Sequence, residues 1–248
     1  TGPTGSGKTT TLYAMLKEFD REANNVVSLE DPIEYNIEGV NQSQVRPEIG
    51  YDFANGLRTI LRQDPDIIMV GEIRDKETAA IAIHAALTGH LVLSTLHTNN
   101  AAGVVPRLVD MGVDPYLIAP TLLMVIGQRL VRRLCPDSRK EKILEGAFKE
   151  ITQNELKNIP DEARKKITSF DKIYEGVSSP ACPRGSKGRM GIFEVMRRTP
   201  DLERIILTKP SEQDILKEAR KQGMTTIKED GLIKMLNGFI SLDEFMKL

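Results

Sequence analysis

Two cysteines in 248 residues cannot make a disulfide scaffold. No apolar run is long enough to span a bilayer: the longest, residues 116–126, is broken by Pro120 and falls short of the roughly 18–20 residues a membrane helix needs. No signal peptide is visible. Neither sign of charge is in excess, with 34 Lys+Arg against 35 Asp+Glu, so the balance favours neither nucleic acid nor an anionic membrane as the main partner. There is no basic stripe interleaved with aromatic residues, which argues against direct nucleic-acid contact. Internal repeats and low-complexity runs are missing too. These absences leave a soluble, cytoplasmic globular protein of one large or two small domains, with 40% hydrophobic residues to build a sizeable core.

What the chain does carry begins at its second residue. Gly2-Pro3-Thr4-Gly5-Ser6-Gly7-Lys8-Thr9 completes the phosphate-loop pattern G-x-x-x-x-G-K-[ST]. The glycines let backbone N–H groups wrap phosphates, Lys8 brings a positive charge to the β and γ phosphates, and the Thr9 hydroxyl suits Mg²⁺, so ATP and Mg²⁺ are the expected ligands. Leu12, Met15, Leu16 and Phe19 recur at helical spacing, which predicts an amphipathic helix whose N-terminus faces the anion. A phosphate loop normally follows a strand, yet only Thr1 precedes this one and there is no initiator Met. The expectation is a fragment whose first strand is missing.

Strand-like and helix-like segments then alternate, as a parallel sheet with crossover helices requires. Residues 26–29 read as a strand. Asp52 caps a helix bearing Phe53, Leu57, Ile60 and Leu61, which Asp64-Pro65-Asp66 stops. Residues 67–70 form a buried strand, 77–87 an alanine-rich helix with Gly89 as its cap, and 91–93 another strand. Residues 122–134 fit a helix by the spacing of Leu122, Ile126, Leu130 and Leu134, but their Val and Ile content equally permits a strand. The organisation expected is an α/β phosphate-loop core over 1–134, a small inserted subdomain with short helices over 135–184, one of them restarted by Pro160-Asp161, and a mostly helical part over 185–248.

Polar groups cluster where these strands end, which is where open α/β sheets bind ligands. The first strand runs into Glu30-Asp31-Pro32-Ile33-Glu34, and the second into Gly71-Glu72-Ile73-Arg74-Asp75, an apolar strand followed by a carboxylate as in a Walker B motif. His97 follows the third, beside Thr95 and Thr98, within reach of a γ-phosphate, whereas His84 reads as an ordinary residue of the alanine-rich helix. Arg58 and Arg62 lie one helical turn apart before the Walker B strand, either as a functional pair or as a solvated pair bonding Asp64 or Asp66.

Taken together, the phosphate loop, the Glu30 to Glu34 box, residues 57–66, the Gly71 to Asp75 box and the His90 to His97 box resemble the type II secretion and type IV pilus ATPases. The likeness continues through residues 128–136 and 187–194, then Gly223-Met224 and Asp230-Gly231, and is loose only over 137–178. It implies a RecA-like motor working as a homo-hexamer, with an inner-membrane platform protein and pilus machinery as partners, peripheral to the cytoplasmic face of the inner membrane. By family position Glu34 would activate the attacking water, Glu72 would organise the Mg²⁺ shell, His97 would sense the γ-phosphate and His90 would support that box. Arg58 and Arg62 would stabilise charge on a neighbouring subunit's nucleotide.

The chain departs from the family's zinc tetrad. Cys135 is followed by Ser138 where a second cysteine would stand, and Ser179 precedes Cys182 likewise. Two thiolates cannot close a four-ligand zinc site, so no zinc is expected and the cysteines read as two reduced thiols. The subdomain itself favours assembly or secretion, because retraction ATPases resemble this chain without it. A retraction motor, a DNA-translocating conjugation-type ATPase and a non-hydrolysing ring component are the alternatives, the last opposed by intact Glu34, Glu72 and His97.

Overall fold

Short apolar runs build the centre of the fold. In the computed structural model, which describes residues 1–208 and 210–248, helix α1 (Lys8–Glu18) leads into β1 (Val26–Glu30), buried at every residue. The edge strand β2 (Asn41–Gln44), α2 (Phe53–Ile60), β3 (Ile67–Val70), α3 (Lys76–Leu87) and β4 (Leu91–Ser94) follow. All four strands are parallel in the order β2-β1-β3-β4, with Val26 opposite Ile67 and Ile67 opposite Leu91. The α/β class and the strands expected from sequence at 26–29, 67–70 and 91–93 are therefore present.

Period-two alternation divides the sheet residues between two cores. Val26, Ile67, Met69 and Leu93 pack with Leu12, Tyr13 and Leu16 of α1. Val27, Leu29, Ile68 and Val70 point the other way, onto Phe53, Leu57 and Ile60 of α2 and Ala79, Ala82 and Ala85 of α3. Leu57 and Ile60 are fully buried, each contributing about 1.5–3 kcal/mol by removal from water. Asp52 caps α2 by accepting from the Asn55 N–H, and Asp75 caps α3 by accepting from that of Thr78. Helix α2 ends at Ile60, so Arg62 stands in the turn beyond it and not on the helix as its spacing predicts.

Helices α4 (Val104–Asp110) and α5 (Pro115–Thr121) complete the second core. The segment left open between helix and strand is β5 (Met124–Leu134), which pairs antiparallel with β8 (Ser186–Arg197), setting Ile126 opposite Val195. Between them lie β6 (Arg139–Ile143), α6 (Ala147–Asn158), α7 (Asp161–Arg164) and β7 (Lys172–Gly176), with β6 and β7 paired antiparallel. The chain closes with α8 (Pro200–Thr208), α9 (Glu212–Lys221), α10 (Ile227–Leu236) and α11 (Leu242–Phe245). Leu144, Leu156, Ile159 and Ile173 share a core with Leu232, Leu236 and Phe245.

The reading of two reduced thiols is corrected, because Cys135 and Cys182 are joined in a disulfide. The backbone brings them together: Cys135 N–H donates to Gly185 O, and Ser179 and Cys182 bridge in a tight turn, leaving a Cα separation of 6.7 Å that a disulfide spans.

Candidate phosphate-binding site

The loop from Gly2 to Gly7 ends on α1 in a way that leaves the helix N-terminus open to an anion. Gly7 occupies the N-cap with φ 87°, offers no side-chain cap, and no acidic residue follows in the first turn. A Cβ on Gly2 would stand 2.3 Å from the Gln128 carbonyl oxygen, so the loop packs closer to β5 than any other residue type permits. Gln128 holds the loop from behind. Its Nε2 donates to Ser6 O at 2.7 Å, its Oε1 accepts from Thr11 Oγ1 at 2.8 Å, and its N–H donates to Thr1 O at 2.9 Å. Lys8 Nζ arches back over the loop, donating to Gly2 O at 2.9 Å and Pro3 O at 3.1 Å. Burial and the nearby Arg129 push the Lys8 ammonium down from its ordinary pKa, while Glu72 pulls it up.

Glu72 follows β3 and is largely buried. Arg74 forms an ion pair with its Oε1, and His97 Nε2 lies 3.2 Å from its Oε2. Burial pushes the Glu72 carboxyl up, but Arg74 and His97 outweigh it and hold the group below its ordinary value. Thr95 fixes the strand ends relative to each other, its Oγ1 donating to Gly71 O at 2.8 Å and its carbonyl accepting from Ile73 N–H at 2.9 Å. Lys8, Glu72 and His97 thus converge at the carboxyl ends of the sheet.

Glu30 is spent on structure. Its buried carboxylate accepts from Tyr13 OH, from Ser28 Oγ at 2.6 Å and from Gln42 Nε2 at 3.0 Å. Glu34, four residues on, is exposed, and its backbone N–H donates to Tyr13 OH at 3.3 Å.

Three predicted site residues stand apart from the loop. His90 precedes β4, at the opposite strand end from His97, with Nδ1 2.9 Å from Ala85 O and 3.0 Å from Thr88 Oγ1. It fixes the end of α3. Arg58 is exposed and pairs with Glu77 of α3, a partner other than Asp64 or Asp66, and also donates to Asn55 Oδ1 at 3.1 Å. Arg62 is exposed in the turn after α2. His84 faces solvent.

Sequence reasoning gave no role to Gln128, Arg129, Arg74 or Tyr13. Gln128 and Arg129 lie more than a hundred residues from the loop they touch, and only the motif around them could have drawn attention. Arg129 donates to Asn99 O at 2.7 Å, tying the segment after His97 to β5.

The residues present fit a nucleotide carrying Mg²⁺. The uncapped helix start and Lys8 suit phosphate, while the half-buried Thr9 hydroxyl and the ionised Glu72 are hard oxygen ligands. Among the described residues no group of three or more His, Cys, Asp and Glu is placed to hold a metal by itself, and nucleotide-borne Mg²⁺ needs only one or two protein ligands.

A phosphate loop opening a helix beside the strand ends of a parallel sheet defines a P-loop nucleotide-binding fold. The chain belongs to the type II/IV secretion system protein family, whose sequence model matches residues 1–247. It is 46% identical over 248 residues to the type II secretion system protein E of Xanthomonas campestris, covering 100% of this chain and 42% of that protein. It is likewise 46% identical over 246 residues to the type IV pilus assembly ATPase PilB of Pseudomonas aeruginosa, covering 98% of this chain and 42% of that one. The chain therefore spans less than half the length of these relatives. Among solved structures it is similar to the pilus retraction motor PilT with bound ADP, at a TM-score of 0.69 and 28% identity over 100% of this chain and 59% of that one. The Legionella pneumophila ATPase DotB gives 0.64 and 26%, over 99% and 57%.

Proposed function

We propose that this chain is the motor part of a hexameric ATPase that drives type IV pilus assembly or type II secretion from the cytoplasmic face of the inner membrane. The observation that carries the reading is the convergence of Lys8, Glu72 and His97 at the strand ends, in a chain that shares 46% identity with proteins named for secretion and pilus assembly. The lower identity to the retraction motor, 28%, favours assembly or secretion over retraction.

Phosphoryl transfer asks little covalent work of a protein, so positioning and charge neutralisation carry the rate. The loop from Gly2 to Thr9 cradles the triphosphate, and Lys8 leaves the carbonyls of Gly2 and Pro3 to meet the β and γ phosphates. Thr9 and Glu72 would hold Mg²⁺, which when bound would neutralise charge on the phosphate oxygens. Glu34 accepts a proton from the attacking water. His97, leaning on Glu72, reads the γ-phosphate, and His90 supports the box from the far end of β4. Arg58 and Arg62 face a neighbouring subunit, where arginines of this kind contribute about 10³–10⁵ in rate.

The test uses the complete gene product carrying this sequence. Subunits with Arg58→Ala/Arg62→Ala, mixed with Glu34→Gln subunits, regain part of the ATP hydrolysis that neither variant shows alone, because some shared sites then hold a good carboxylate and good arginines. No recovery in demonstrably mixed rings refutes action across subunits.

A further inference from the structure

Among the described residues, no side-chain hydrogen bond or ion pair anchors the proposed base. Glu34 is exposed, so its place relative to the phosphate loop is set through its backbone and its neighbours. Both lead to one residue. Tyr13 is among the largest fully buried side chains in the protein and stands on α1, five residues after Lys8, or about 7.5 Å along the helix axis. Its hydroxyl donates to the Glu30 carboxylate and accepts the Glu34 N–H at 3.3 Å. Its ring meets that of Tyr35 edge to face, centroids 4.7 Å apart, and Lys17 of the same helix lies 5.3 Å from the Tyr35 ring.

We infer that Tyr13 is a positioning residue for hydrolysis: it ties Glu34 to the helix that begins with Lys8, through the Glu34 backbone and the Tyr35 ring. The inference rests on the reading of Glu34 as the base. The hydroxyl accepts the Glu34 N–H while its own proton goes to Glu30, so it is the protonated phenol that is anchored on the Glu30 carboxylate. Burial and the Glu30 carboxylate raise its pKa to about 12, which keeps it protonated at any working pH. Glu30 is fixed in turn by Ser28 and Gln42, so the hydroxyl is aimed from below by a rigid acceptor. A shift of α1 when the loop grips phosphate then moves the Glu34 backbone with it. Small errors in such placement are costly, about 10²-fold for 1 Å.

The test measures steady-state ATP hydrolysis by the complete gene product in its assembled form. Tyr13→Phe keeps the ring and removes the link; it lowers kcat about tenfold and leaves KM for ATP within about twofold, the pattern of an interaction needed only beyond substrate binding. In a Glu34→Gln background the same change has no further effect, because there is no base left to position; a general structural lesion would lower the residual rate again. Tyr35→Leu, at a position 47% exposed, is the second arm should Tyr13→Phe fail to assemble, and it lowers kcat with KM unchanged. If Glu34→Gln hydrolyses ATP at the parental rate, the base assignment falls and this inference with it. If Glu34→Gln is inactive while Tyr13→Phe or Tyr35→Leu keeps the parental kcat, the inference alone is overturned. Equal losses from Tyr13→Phe in both backgrounds overturn it as well.

Discussion

Replacing Gln128 with alanine isolates what holds the phosphate loop in place. The side chain is 4% exposed and satisfies two groups of other segments, Ser6 O at 2.7 Å and Thr11 Oγ1 at 2.8 Å. Two hydrogen bonds contribute about 0.5–1.5 kcal/mol each, and a polar group left buried and unpaired costs about 1–3 kcal/mol. Thr11 can rotate toward water, but the Ser6 carbonyl has β5 behind it, so the net loss is about 2–3 kcal/mol. For a chain of this size each kcal/mol shifts Tm by about 2–4 °C, giving a fall of about 4–12 °C. The same change frees the backbone of a loop whose N–H groups must converge on phosphate, so nucleotide affinity falls in parallel. Thermal melts with and without ATP, and titration of a fluorescent ATP analogue, measure both. A variant that melts like the parent and binds the analogue equally well refutes the claim that the Gln128 side chain holds the loop.

Lys8→Ala abolishes Mg²⁺-dependent binding of a fluorescent ATP analogue, and equal affinity in parent and variant would refute the phosphate-loop assignment. Reducing the Cys135–Cys182 bond, which closes a 47-residue separation, costs about 4 kcal/mol by the loop-entropy relation, seen as a lower Tm in dithiothreitol that Cys135→Ser abolishes. With both thiols so bonded, metal analysis of protein purified without chelator returns less than stoichiometric zinc; one zinc per chain contradicts the disulfide. Although burial pushes the Glu72 carboxyl up, Arg74 and His97 hold it below 4.5, so its stabilising contribution is full above that pH and is lost as pH falls through the lowered value. Glu72→Gln therefore flattens the acid limb of the stability profile measured by denaturant titration, and an unchanged limb counts against the Arg74–Glu72–His97 cluster.

Local order was legible in the sequence, and its limits have a physical cause. Strands β1 and β3 are short runs buried on both faces, β4 is a short apolar run buried at Leu93, and the cap Asp52 acts on an N–H group three residues away, so their signals lie within a few positions. Residues 122–134 were ambiguous because a strand whose pairing partners lie 52 to 73 residues later carries no local mark of them; β8 decides the matter by offering Val195 to Ile126 and Ile192 to Arg129. The phosphate loop, Glu72 and His97 could be read because each follows directly from a strand end or a fixed motif. Gln128 and Arg129 could not be assigned a role, since a glutamine in a strand-like segment is unremarkable until the fold sets it against Ser6. The placement of the arginines met a different limit. Spacing placed Arg58 and Arg62 on one helix face, but the cap region ended α2 at Ile60, and the carboxylate that Arg58 meets belongs to α3, across a crossover the spacing could not foresee. Tyr13 was hidden by its own ordinariness, since an aromatic residue inside an amphipathic helix reads as core. It is core by its ring, and only its hydroxyl, lying between Glu30 and the Glu34 backbone, distinguishes it from the leucines on either side.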